Sequence, residues 1–95
     1  HGVITKVRKD LKKPSMFAVL LINDDYTPME FVIYILQTIF KKNYEEAKTI
    51  MLEVHNKGKG VCGIYSLDIA ETKASQVIEF SRINQHPLEC KVQKQ

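Results

Sequence analysis

Four side chains in this sequence hold hydrogen-bond acceptors where a ligand could use them: Asn23, Asp24, Asp25 and His55. An amide oxygen, a carboxylate and a neutral imidazole nitrogen are all acceptors. A ring of acceptors with a negative charge suits a ligand with several donors and one positive charge. A primary ammonium group fits that description. Met29, Val32, Met51 and Val54 stand close by in the sequence at helical spacing and could wall an adjacent apolar pocket. Together the two halves would hold an ammonium next to a large apolar side chain, which is the front end of a peptide beginning with a bulky residue. Each piece alone has a plainer reading. An Asp-Asp pair before a helix is usually a cap and dipole partner, a single helical His is usually a surface or core-satisfied residue, and methionines at helical spacing are usually core filler.

The elements that must position these groups can be read around them. Asn23, Asp24 and Asp25 fall between two apolar runs, Met16 to Ile22 and Met29 to Phe40. Two acids and an amide there are costly to bury unless something pairs with them. Thr27-Pro28-Met29-Glu30 reads as a helix start, with Thr27 capping, Pro28 at the first helical position and Glu30 reaching back to the Thr27 amide. The acidic residues are therefore expected on a short strand-to-helix connector. Met16 to Ile22 predicts a buried central strand. Pro28 to about Lys42 predicts a helix, apolar on more than one side, with one side on the core and another lining a groove. Asn43 caps a second helix with Glu45 and Glu46 in its first turn, and Asn56, Gly58 and Gly60 end it. His55 lies four residues after Met51, on the same side. In such a helical hairpin the connector and His55 come to the same end of the molecule.

Val61 to Ile69 alternates as a strand, Glu71 to about Asn84 predicts a third helix with Lys73 pointing outward, and Leu88 to Gln93 alternates as a last strand. His86-Pro87 breaks the third helix, at what this reading takes to be the far end from the connector. The order is βααβαβ: a single small α+β domain, with a three-stranded antiparallel sheet packed against three helices over residues 14–95. Residues 1–13 read as a flexible basic arm.

Composition narrows the function. Ninety-five residues with 44% hydrophobic content suffice for one small core. No apolar run approaches the ~18 residues of a membrane span. Cys62 and Cys90 are too few and too far apart for a disulfide framework or a zinc motif, and read as reduced, buried thiols. The net charge of +3 is uneven: residues 1–13 carry +4 and the rest −1. A nucleic-acid binder needs its basic residues on a folded face, so the body does not read as one. Asp24, Asp25 and His55 could in principle be metal ligands or an acid–base pair. However, no paired-histidine metal motif and no Ser or Cys nucleophile motif accompanies them. No catalytic residue, metal or cofactor is expected.

The chain also resembles a known family. Asn23 through Val32 (NDDYTPMEFV), Met51-Leu52-Glu53-Val54-His55, Val61-Cys62-Gly63, Ala70-Glu71-Thr72-Lys73 and His86-Pro87-Leu88 look like the ClpS family, and the likeness covers about residues 14 to 95. ClpS proteins are non-enzymatic adaptors of bacterial protein degradation. They bind N-degrons, substrates whose first residue is Leu, Phe, Tyr or Trp, and deliver them to the ClpA unfoldase of the ClpAP protease. The resemblance implies that Asn23, Asp24 and His55 take the substrate's α-ammonium. It implies a side-chain pocket of Thr27, Met29, Val32, Met51, Val54 and Leu88, with Met29 as the gate that excludes β-branched first residues. Asp68, Glu71 and Lys73 would dock on ClpA, and residues 1–13 would be the arm that ClpA engages. A cytoplasmic monomer is the default expectation.

Overall fold

The computed structural model describes residues 14–95; the arm expected over 1–13 lies outside the described residues. The elements follow in the order β1 (Phe17–Ile22), α1 (Met29–Thr38), α2 (Tyr44–Lys57), β2 (Lys59–Tyr65), α3 (Leu67–Ile83) and β3 (Glu89–Lys94). β1 is the middle strand, with β2 and β3 antiparallel on either side. This is the βααβαβ α+β fold with a three-stranded antiparallel sheet.

A central strand needs apolar residues on both faces, and β1 supplies them without a break. Val19 and Leu21 are fully buried and join the helices in one core cluster with Ile35, Leu36, Val54, Ala70, Val77 and Leu88. Ala18 and Leu20 point to the other face, beside their cross-strand partners Ile64 and Gln93, Val61 and Lys91. The two thiols, Cys62 and Cys90, are free and buried. Burial raises both above the ordinary thiol range, Cys90 to about 12, with the neighbouring Cys90 adding to the rise at Cys62 and Glu89 to that at Cys90. Both are inert in this state.

Several boundaries differ from the sequence-based expectation. β2 ends at Tyr65, and Leu67 and Ile69 belong to α3, which starts four residues earlier than expected. The alternation that suggested a longer strand is interrupted by a bulge: Val19 pairs with Gly63 and Leu20 with Val61, leaving Cys62 as the extra residue. Gly60 lets this strand run close to α2, because a Cβ there would sit 2.9 Å from Val54 Cγ2. α1 is shorter than expected. It stops at Thr38 and the chain turns through Lys41, a left-handed residue at φ 57°.

Lys73 does not point outward. Its Nζ donates to the Ile39 carbonyl at 2.8 Å, and it lies over the rings of Phe40 (5.8 Å) and Tyr65 (5.3 Å). The ammonium thus closes the C-terminal end of α1, where the helix dipole is negative. α3 ends in a Schellman turn with Gln85 in the left-handed position (φ 61°), His86 N–H donating to the Ser81 carbonyl and Gln85 N–H to the Arg82 carbonyl. Arg82 holds the following turn by donating to the carbonyls of His86 and Leu88 and to Glu89.

Candidate functional site

The connector after β1 is built by Asp24. Its Oδ1 accepts from the Tyr26 N–H (2.8 Å) and the Thr27 N–H (2.7 Å), and its Oδ2 accepts from the Thr27 hydroxyl (2.8 Å). The expected cap is therefore absent. Thr27 is committed to Asp24, Pro28 occupies the cap position, and no side chain caps α1; its first helical bonds run from Phe31 and Val32 to the Pro28 carbonyl. Glu30 does not reach back. The short polar side chain that organises the turn stands three residues upstream of where the capping pattern placed it.

A second tie joins this connector to α2. Asn43 caps α2 through a full capping box with Glu46. At the other end Gly58 turns the chain at φ 90°, where its N–H bonds to Val54 and its carbonyl accepts from the Asn23 N–H at 2.8 Å. Only a residue without Cβ adopts that turn cheaply. Because of it, the last turn of α2 with Val54 and His55 is held against Asn23.

Between the connector and the two helices lies an open cavity of about 370 Å³. Asn23, Asp24, Asp25 and His55 give it a polar side. Met29, Val32, Met51 and Val54 give it an apolar side, and Tyr26, Thr27 and Pro28 complete the wall. Val32, Met51 and Val54 are buried; Met29 is 45% exposed at the mouth. Ten of the expected site residues thus divide cleanly. Asn23, Asp24, His55, Thr27, Met29, Val32, Met51 and Val54 come together. Leu88 is not on the cavity wall; it is 1% exposed within the core cluster that includes Val32 and Val54. Lys73 is far down α3 in its own contacts.

The cavity is electrostatically negative. Burial pushes the Asp24 carboxyl up, but the bonds from the Thr27 and Tyr26 amides and the Thr27 hydroxyl, aided by the charge of His86, bring it below the usual carboxylate range. Three of its roughly four lone-pair positions are used by the loop. One remains for a ligand, and the charge remains in full. Asp25 adds an exposed carboxylate.

His86 is not at the far end from the connector. It lies on the Asp24 side of the molecule, its ring edge-on to Phe31 of α1 at 4.4 Å. The signal was available: antiparallel pairing of β1 with β3 sets Ile22 opposite Glu89, which brings residues 86–88 beside the connector. Tyr26, 80% exposed, was the other omission. Among the described residues there is no cluster of three metal-capable side chains, and no helix is long and apolar enough to cross a membrane.

Residues 12–91 match the family model described as ATP-dependent Clp protease adaptor protein ClpS. The chain belongs to the ClpS family. Relatives named as ClpS adapter proteins include one from Rhodospirillum centenum, 55% identical over 98% of this chain and 86% of that protein. Another, named ClpS 1, from Rhizobium meliloti, is 57% identical over 98% and 80% respectively. Among solved structures, Agrobacterium tumefaciens ClpS2 bound to L-phenylalaninamide superimposes with a TM-score of 0.85 at 32% identity, covering 87% of this chain and all of that one. As a ClpS protein the chain is an adaptor of the Clp protease and is not itself an enzyme.

Proposed function

We propose that this ClpS protein captures the first residue of N-degron substrates in the 370 Å³ cavity and delivers them to the ClpA unfoldase of ClpAP. The observation that carries this reading is the two-sided lining: acceptors and negative charge on one wall, methionine and valine on the other. The ligand named for the ClpS2 relative, L-phenylalaninamide, has both matching parts, a free α-amine and a benzyl side chain. Asn23, Asp24 and His55 would receive the ammonium, with Asp24 and Asp25 supplying charge. Met29, Val32, Met51 and Val54 would enclose a first side chain of Leu, Phe, Tyr or Trp, with Met29 at the mouth screening out β-branched residues. Leu88 would support this pocket from the core.

Burial of a Phe-sized side chain contributes roughly 2–3 kcal/mol, and each bond to the charged ammonium about 1.5–3 kcal/mol. Association costs at least ~4 kcal/mol. With three such bonds the balance reaches at most about 8 kcal/mol, which caps the complex near micromolar, and neither half of the site sustains binding alone. An imidazole that accepts from the ammonium must present a nitrogen lone pair to it, and the amine must be charged. Delivery would use Asp68, Glu71 and Lys73 as the docking face and residues 1–13 as the segment that ClpA engages, in a cytoplasmic monomer. The test is a titration of short peptides differing only in their first residue, with one N-acetylated Phe peptide. Free Leu, Phe, Tyr and Trp peptides should bind and Val, Ile and acetyl-Phe peptides should not. Equal binding of acetyl-Phe and free Phe peptides overturns the assignment.

A further inference from the structure

Of the His86-Pro87-Leu88 turn, the peptide site as described employs Leu88 alone. Yet His86 is fixed from three directions. Its N–H donates to the Ser81 carbonyl at 2.8 Å. Its carbonyl accepts from Arg82 at 3.0 Å. Its half-buried ring stands edge-on to Phe31 at 4.4 Å, and Phe31 stacks in turn on Phe80 at 5.7 Å. Phe31 sits in the first turn of α1 between Met29 and Val32, both of which line the peptide cavity. The imidazole itself is not on the cavity wall; the Asp24 carboxylate, which is, lies within reach of its charge. The strand register agrees: Ile22 opposite Glu89 sets the 86–88 turn beside the 23–25 connector.

The other charged groups on the elements around His86 are Asp25 on the connector, Glu30 in the first turn of α1, Glu79 and Arg82 on α3, and Glu89 at the head of β3. Arg82 and Glu89 are paired with each other at 2.7 Å. Glu79 lines a separate depression between α1 and α3, and Glu30 is exposed. Asp24 is therefore the acid through which His86 can reach the peptide site. Its three loop bonds leave its charge in full, and a histidine ordinarily changes charge between about pH 5 and 8. We propose that His86 is a positioning residue for the ammonium capture described above, a role that depends on that function: as a neutral ring it leaves the Asp24 charge to the ligand, and as an imidazolium it offsets that charge and repels the incoming amine. Two cations beside one carboxylate disfavour each other. A bound ammonium in turn favours the neutral form of His86, so the two events are linked through Asp24.

The experiment has a peptide-free part and a peptide part, run on the 95-residue chain and on His86→Phe, which keeps an aromatic edge against Phe31 without the charge. His86→Gln serves as a second neutral variant. First, the Asp24 carboxyl is titrated by carbon NMR with no peptide present. Loss of a neighbouring cation should raise its titration midpoint in both variants. An unchanged midpoint overturns the proposal. Second, the affinity for a Phe-initiated peptide is measured by fluorescence anisotropy at about pH 7.5 and about pH 5.5. His55 is present in every chain, so its contribution is common to all and the difference between chains isolates His86. On acidification the parent should lose roughly threefold or more affinity beyond the loss in either variant. Equal losses overturn the proposal, as does a variant whose affinity shifts by the same factor at both pH values, which is the signature of ring packing alone. A parent chain that binds no Phe peptide at either pH, with the midpoint shift present, overturns the adaptor reading and this role with it; the peptide-free part keeps the two failures apart.

Discussion

The two ends of α1 face opposite problems and solve them differently. At the C-terminal end, the Ile39 carbonyl, the Phe40 ring and the Lys73 ammonium satisfy one another within the protein. At the N-terminal end, Asp24 organises the loop with three bonds, and its charge together with Asn23, Asp25 and His55 faces an open cavity. Both ends obey the helix dipole, a cation at the negative end and carboxylates at the positive end. One end is closed by the protein's own groups. The other faces an open cavity, and it is there that the proposed function puts recognition of a cationic ligand.

The sharpest way to break the comparison is to remove Asp24. Asp24→Ala takes away both the loop's organiser and the cavity's best-positioned charge. Binding of a Phe-initiated peptide, followed by fluorescence anisotropy, should weaken about a hundredfold or more, since a bond to a charged group and the geometry of its neighbours are lost together. Asp24→Asn keeps one acceptor oxygen and should retain more of the loop but little of the affinity. His55→Ala, which leaves the loop intact, should weaken binding by roughly tenfold. If both Asp24 variants bind as the parent does, the open end is not the recognition end.

The closed end should answer in stability and not in binding. Lys73→Ala leaves the Ile39 carbonyl without its donor and removes the cation from two rings, a loss of about 1.5–3 kcal/mol in urea denaturation. Lys73→Met preserves the apolar stem over the rings and should lose less. Peptide affinity should stay within about a factor of two in both, because no cavity residue is touched. A large affinity loss with unchanged stability would reverse the roles assigned to the two ends.

Acid separates the ends further. The Asp24 carboxyl is held below its ordinary value in the folded state, so the unfolded chain binds the proton more readily. Its contribution to stability is full above the ordinary carboxylate value of ~3.9 and disappears as pH falls through the lower folded-state value. Denaturation midpoints between about pH 5 and 2.5 should therefore fall with acid less steeply in Asp24→Asn than in the parent. Equal slopes would mean that the loop bonds do not favour the ionised form.

Much of this contrast is legible in the sequence, for physical reasons that differ by residue. The β1 run and the stripes of α2 and α3 follow from periodicity, because burial imposes it. The Asn43 capping box is local and is read correctly. Thr27 is misread because two local motifs compete for one hydroxyl, and only geometry shows that Asp24 takes it. The outward Lys73 is misread because a long side chain on a half-exposed helix face is free to fold back, and its acceptor is 34 residues away in sequence. The length of β2 is misread because Leu67 and Ile69, exposed in the first turn of α3, continue its period of two without belonging to the strand. The cavity itself was inferred from helix faces meeting at one end; the Asn23–Gly58 bond that holds those faces together is a backbone contact that no side-chain pattern announces.

The smallest test concerns the turn that leaves the closed end. Lys41 adopts φ 57° after α1, a conformation that costs an L-residue roughly 1 kcal/mol and glycine almost nothing. Its side chain is exposed, so replacing it removes little else. Glycine also gains freedom in the unfolded chain, which offsets part of the benefit. Lys41→Gly should therefore stabilise by only ~0.5 kcal/mol, with peptide affinity unchanged. The matching substitution at the open end, Gly58→Ala, forces a Cβ into φ 90° and strains the turn whose carbonyl holds Asn23. It should destabilise by ~1 kcal/mol and also weaken peptide binding, since His55 and the connector would no longer be fixed against each other. A left-handed residue at each end, one separable from binding and one not, gives the comparison its finest resolution.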